Sequence, residues 1–227
     1  MFIAIDERTG KRISAYKALP NNSEYSCPYC EEKVILRNGE VRVPHFAHQS
    51  NSLCDRYYDS SNVMSDWHIN WQEQFPEECR EVIFKGKDEN KHIADVFYNN
   101  YIIEFQHSPM SPEEFYERTK FYYRFCRRLI WLFDFSDECN IYEYEDNKWA
   151  WDRPKRTFIQ FNSGYGYWKD KVCLMFQDAK GDIRRIVWNI HEYDKSSNSG
   201  ANNYKKFCTK GCWNKDEFIL SIKHFDF

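Results

Sequence analysis

Glycine is scarce, at 8 of 227 residues, so low-complexity linkers are scarce too, and no internal repeat is found. No apolar run approaches the ~18 residues that a membrane-spanning helix requires. The opening Met-Phe-Ile-Ala-Ile-Asp-Glu-Arg has neither a basic start nor an apolar core, so no export signal is visible. Nine cysteines without an export signal read as reduced thiols and metal ligands, not as a disulfide scaffold, and the expected location is the cytoplasm. Together these absences exclude a secreted miniprotein and a membrane protein. What is present, 42% apolar and 30% charged residues in 27.7 kDa, suits one ordinary domain or a compact pair.

The net charge of −3 hides an asymmetry. Residues 1–152 carry 18 Lys and Arg against 27 Asp and Glu, whereas residues 153–227 carry 14 against 8. An acidic body joined to a basic tail suits a protein that holds divalent cations beside a polyanion. Polar stretches at Gln49–Asn62, Asp146–Pro154 and Lys195–Asn203 are the expected boundaries. The reading is α/β: a small N-terminal zinc module with β-hairpins over 1–60, a core over 63–152, and a β-rich basic extension over 153–227. Hairpins are expected from Phe2–Ile5 with Arg12–Ala15, and from Val34–Val43 turning on Asn38-Gly39.

The core reads helix, three strands, helix, strand. Ser65 or Asp66 caps a helix through Trp67, His68, Trp71 and Phe75. Strands follow at Glu81–Lys85, Ile93–Tyr98 and Tyr101–Gln106. Ser111, Pro112 and Glu114 start a helix as a capping box, with Met110 and Phe115 as a hydrophobic staple, and it is expected to reach Arg127 or Arg128. Leu129–Phe135 is a buried strand. Beyond Pro154, strands are expected at 157–161, 172–176 and 183–190, with turns at Gly164, Gly166 and Gly181, then a short helix around Asp216–Ile222.

Asn99-Asn100 between apolar runs predicts a two-residue type I′ turn, since Asn tolerates positive φ. The register then sets Tyr98 against Tyr101, Phe97 against Ile102, Val96 against Ile103, and Asp95 against Glu104. Opposed side chains have Cβ atoms ~4.5–5.5 Å apart, so the two carboxylates repel unless something compensates them. Phe97 and Ile102 share their face, and Ala94 and Val96 are assigned to the other. Gln106 lies two residues beyond Glu104, on the same face. Hard oxygen donors and an amide suit Mg²⁺ or Mn²⁺ as a catalytic ion, with Gln106 orienting a water. Arg118 and Lys120 on the next helix are candidate nucleic-acid phosphate contacts.

Cys27-Pro-Tyr-Cys30 is followed by His45, His48 and Cys54, which offers five donors for a tetrahedral Zn²⁺ that takes four. Cys27, Cys30, His48 and Cys54 are the favoured set, with His45 as the alternative to His48. Such a closed site replaces the core that so short a segment cannot build alone. Cys79, Cys126, Cys139 and Cys173 read as small buried apolar residues, and Cys208 and Cys212 as ordinary thiols.

An Asp followed by Glu-x-Lys on adjacent strands, within this order of elements, is the arrangement of PD-(D/E)xK nucleases, which fold as a restriction-endonuclease-like core. The chain resembles it, with Gln106 where Lys is usual. Cys27-Pro-Tyr-Cys30, Pro44-His-Phe-Ala-His48, Cys54, Ile93-Ala-Asp-Val, Ile103-Glu-Phe-Gln-His-Ser-Pro, and Glu117-Arg118 with Tyr122 resemble the competence protein CoiA family over about residues 1–135. The resemblance implies a cytoplasmic nuclease-like protein with a zinc-binding segment and a Glu-x-Gln metal site, associated with DNA uptake, recombination or defence. It carries over His68, as a base or orienting donor. It does not carry over the Glu that precedes this His in the family or the later Lys of the first helix, because Trp67 and Gln72 stand there. The expected activity is Mg²⁺-dependent hydrolysis of single-stranded, duplex or branched DNA, with no membrane partner and a protein partner left open. The rival readings are an inactive nucleic-acid-binding protein on the same fold, an RNA nuclease, and a protein–protein adaptor.

Overall fold

The computed structural model describes residues 1–20, 24–40, 43–49, 52, 54, 64–87, 90–137, 141–152, 171–187 and 204–224. The expected strand at 157–161, the turns at Gly164 and Gly166, Cys139 and the polar run 195–203 lie outside them. The chain divides into two compact units, Met1–Ile83 and Phe84–Phe227.

In the first unit, β1 (Ile3–Asp6), β2 (Lys11–Ser14), β3 (Tyr25–Ser26), β4 (Lys33–Arg37) and β5 (His45–His48) form an antiparallel sheet in the order β2-β1-β3-β4-β5. The first expected hairpin is present, turning through Gly10 at φ +65°. The second differs. β4 pairs with the histidine-bearing β5, in a register that sets Val34 against His48 and Arg37 against His45. The core of this unit holds Phe2, Ala4, Tyr25, Val34, Phe46 and Ile69, with Cys27 and Cys54 among them. Helix α1 (Asp66–Gln72) is capped by the Ser65 hydroxyl, which accepts the His68 N–H at 3.3 Å, and it ends before Phe75.

β6 (Arg80–Lys85) carries the chain between the units, and its first half is tied to the N-terminal sheet. Glu81 is buried and holds φ +46°, a conformation that costs a non-glycine residue of order 1–3 kcal/mol. Its carboxylate accepts the Phe2 and Ile3 N–H groups, each at 3.0 Å, while the Arg12 guanidinium donates to the Arg80 carbonyl at 2.6 Å. These bonds hold the first half of β6 to the unit that ends at Ile83.

The second unit contains β7 (Lys91–Tyr98), β8 (Tyr101–Gln106), α2 (Pro112–Tyr122), β9 (Arg128–Asp134), β10 (Ile141–Glu145), β11 (Lys148–Asp152), β12 (Val172–Gln177), β13 (Ile183–Val187), β14 (Tyr204–Trp213) and α3 (Lys215–His224). The sheet order is β10-β11-β14-β13-β12-β9-β8-β7, with β6 at the edge. β9 lies parallel to both β8 and β12, so the strands after 153 continue the sheet of the core. The polar stretch that begins at 146 opens on a turn. Asp146-Asn147 turns a hairpin, with Asn147 at φ +56°, and Trp149 and Ala150 of β11 are buried.

Helix α2 starts as its sequence dictates: the Ser111 hydroxyl accepts the Glu114 N–H at 3.1 Å, Pro112 occupies the first turn, and Met110 and Phe115 are both buried. It ends at Tyr122, short of Arg127, because the chain must turn to run parallel beside β8. The Arg127 N–H already bonds the Asn100 carbonyl at 2.7 Å.

Candidate functional site

The first unit brings Cys27, Cys30, His48 and Cys54 together, with their ligand atoms all within 4.8 Å of one another. The knuckle closes through the Glu31 N–H to the Cys27 carbonyl at 2.8 Å, with Glu31 at φ +65°, and the Tyr29 N–H points at the Cys27 Sγ at 3.3 Å. The β4–β5 pairing delivers His48, whose Nε2 lies 3.2 Å from the Cys30 Sγ; the Cys27 and Cys54 sulfurs are 3.9 Å apart. His45 is separated from His48 by an odd number of strand positions, so it faces the other side, and its Nδ1 meets the Val43 carbonyl at 2.9 Å. Burial raises the Cys27 and Cys54 thiols above their ordinary range, and neighbouring sulfurs add to it. A tetrahedral metal with bonds of about 2.3 Å to sulfur sets ligand atoms about 3.8 Å apart, so the donor set fits such an ion.

In the second unit, Asn99 and Asn100 take φ +49° and +64°, and the pairs Tyr98–Tyr101, Phe97–Ile102 and Val96–Ile103 form as expected. The ladder then gives way at the two acids. The Asp95 Oδ2 accepts the Phe105 N–H at 2.7 Å, and the Asp95 N–H lies 3.4 Å from the Glu104 Oε1. Each carboxylate thus reaches the backbone of the other's strand. Side-chain alternation breaks here as well. Ala94 and, three residues on, Phe97 both pack against the core that contains Ile102, Trp131 and Tyr122, and the His92 ring lies 4.4 Å from that of Phe121. Ala94 is therefore on the α2 side and not on the opposite one, a bulge-like slip that sequence periodicity does not reveal.

Compensation for the acids comes from the protein itself. Glu104 is 1% exposed and its Oε2 contacts the Arg118 guanidinium, which also lies 3.7 Å from Glu114 and over the Trp131 ring at 5.4 Å. Burial raises the Glu104 carboxyl above the ordinary carboxylate range; Arg118 opposes this, and the Asp95 charge adds to it. Burial also works against the charge of Arg118, but Glu104 leads the groups that outweigh it and hold the guanidinium firmly protonated. The Tyr122 hydroxyl is kept protonated by burial and then by the Glu104 charge. It sits close enough to bias both partners, yet it has no hydrogen bond of good geometry among the described residues.

The remaining expected residues are placed as follows. The Gln106 amide nitrogen donates to the Ser108 carbonyl at 2.6 Å. Lys120 is exposed, with its ammonium 5.9 Å from the Tyr116 ring centre. His68 belongs to the first unit, where its Nε2 lies 3.3 Å from the Gln72 amide. Cys126 and Cys173 are buried, Cys79 and Cys208 half-buried, and Cys212 exposed. Sequence reasoning missed the Arg118–Glu104 pair; spacing across a strand and a later helix carries no signal for it.

The geometry defines an α/β protein with a candidate structural-metal cluster in one unit and, in the other, an acid pair at a strand break, Glu104 buried and Asp95 half-buried. The chain belongs to the competence protein CoiA family. The model for Competence protein CoiA, N-terminal domain matches residues 8–57, and that for Competence protein CoiA, nuclease-like domain matches residues 88–199. No curated protein and no solved structure matches the chain. Among the described residues no helix is long and apolar enough to cross a membrane.

Proposed function

We propose that the protein is a metal-dependent nuclease that hydrolyses DNA phosphodiester bonds, on a PD-(D/E)xK-type core, with a structural Zn²⁺ in the Cys₃His cluster. The observation that carries the reading is the acid pair: two carboxylates at the point where β7 and β8 stop exchanging backbone bonds, one of them already paired with a cation. Hard oxygen donors fit Mg²⁺ or Mn²⁺, which bind through one or two carboxylates and substrate phosphate. Such an ion would supply Lewis-acid polarisation of the phosphate and a lowered water pKa. Asp95 and Glu104 would hold it. Gln106, whose NH₂ donates to the Ser108 carbonyl, is the residue proposed to orient a water, as a neutral amide that positions without supplying charge. Arg118 and Lys120 are the candidate phosphate contacts. The role of His68 rests on the family resemblance alone and is read separately with His68→Ala. The cytoplasm, and a part in DNA uptake, recombination or defence, are what the family name favours.

The test is labelled single-stranded, duplex and branched DNA, and RNA, incubated with wild type, Asp95→Ala and Glu104→Ala under Mg²⁺, Mn²⁺ or EDTA. Cleavage of DNA that needs the cation and is lost in both variants supports the reading; cleavage that survives both overturns the site. The second reading is nucleic-acid binding without hydrolysis, favoured by the guanidinium already on Glu104. It predicts binding unchanged by EDTA and no cleavage with any cation.

A further inference from the structure

We propose that Arg118 is an exchangeable occupant of the acid pair: it neutralises Glu104 in the cation-free protein and moves to a nucleic-acid phosphate when a divalent cation enters. This rests on the metal-site reading above and adds the regulation of that site.

Four observations carry it. Glu104 is 1% exposed, and the Arg118 guanidinium contacts its Oε2. That guanidinium is not sealed in, because Arg118 is 22% exposed and has a second acceptor on its outer side in Glu114, itself 54% exposed, at 3.7 Å. The helix beneath it is fixed: Phe115 and Tyr122 are buried, and the Trp131 indole N–H donates to the Thr119 hydroxyl at 3.1 Å. Movement is therefore confined to the Arg118 side chain, sliding over the Trp131 face. Finally, the contact is to Oε2 alone, and the other oxygen of Glu104 faces only the Asp95 N–H, at 3.4 Å, among the hydrogen bonds described for it.

The guanidinium on Oε2 takes up the charge, and one of the two oxygens, that a divalent cation would use at Glu104. Arg118 leaves as the cation enters, and a phosphate matches its planar fork with two parallel acceptors. Cation and nucleic acid then bind cooperatively, each raising the other's affinity by the same factor. Bare cations in solution meet an arginine already in place, so the site loads fully only with substrate.

The test is Mn²⁺ binding to the full chain by titration calorimetry, taken as the difference from Asp95→Asn, with and without a phosphorothioate DNA oligonucleotide that resists hydrolysis. In wild type the oligonucleotide should tighten Mn²⁺ binding at least fivefold. In Arg118→Gln, Mn²⁺ alone should bind at least fivefold tighter than in wild type, and the oligonucleotide should tighten it by a smaller factor than in wild type. Equal or weaker Mn²⁺ binding in Arg118→Gln overturns the exchange. Absence of any Asp95-dependent Mn²⁺ site, with or without DNA, overturns the metal reading itself, and the exchange with it. Should Arg118→Gln unfold, the wild-type Arg118 Nε–H resonance decides. Slow hydrogen exchange that becomes fast on saturation with Mg²⁺ and oligonucleotide supports the proposal, and an unmoved resonance overturns it.

Discussion

Removing Glu104 and removing Arg118 should cost different amounts, because only one of them can shed its charge. In Glu104→Gln the guanidinium loses its buried partner and cannot deprotonate, so the charge stays. Breaking a buried ion pair from one side costs roughly 3–5 kcal/mol. With Arg118 22% exposed and Glu114 3.7 Å away to share the charge, the lower end, about 3 kcal/mol, is expected. In Arg118→Gln the isolated carboxyl can take up a proton, as its raised pKa already inclines it to do, and the loss should be smaller, about 1–2 kcal/mol. The double variant leaves neutral, similarly sized groups and should be less destabilised than the sum of the singles by about 1–3 kcal/mol. Urea unfolding at pH 7 of the four proteins, followed through the second unit that holds Trp131 and Trp149, measures all three quantities. Losses additive to within about 0.5 kcal/mol, or a costlier arginine than glutamate substitution, would refute the reasoning.

Chelation at the Cys₃His cluster should unfold the first unit. Structural zinc supplies about 10–16 kcal/mol of apparent folding energy at neutral pH, and this core counts two of the ligands, Cys27 and Cys54, among its own buried residues. Elemental analysis should find one zinc per chain, lost in Cys27→Ser and Cys54→Ser; a circular-dichroism melt indifferent to chelator would contradict it. Asp95→Asn keeps an acceptor for the Phe105 N–H, so it should fold with a penalty near 1 kcal/mol while losing cation-dependent cleavage. Burial, then the Arg118 charge, hold the His92 pKa below its ordinary value, with Glu117 opposing. Its folded pKa lies below the unfolded value of about 6.5, so this contribution to stability is present above pH 6.5 and is lost as the pH falls through the folded pKa. His92→Gln should flatten that slope in melting temperature, and an unchanged slope would count against it. Ser111→Ala should cost about 1 kcal/mol, since it removes the acceptor for the Glu114 N–H at the start of α2.

The sequence by itself determined whatever short-range chemistry controls. Asn99-Asn100 accepts positive φ and so sets the β7–β8 register, and the cap, proline and staple at 110–115 start α2 where they stand. A Cys-x-x-Cys with a later His and Cys marks the four donors that the fold gathers. Tertiary structure decided whatever depends on partners distant in the chain. β4 pairs with the histidine strand, which brings His48 to the knuckle, and Glu81 binds the start of β6 to the Phe2 and Ile3 N–H groups. Asp146-Asn147, polar and turn-like, became a hairpin because Trp149 and Ala150 found burial behind it. At the acids the balance is clearest. Period and turn brought Asp95 near Glu104, but the slip in alternation, and the guanidinium that answers the buried charge, come from packing α2 over the sheet. No pattern along β7 and β8 encodes either.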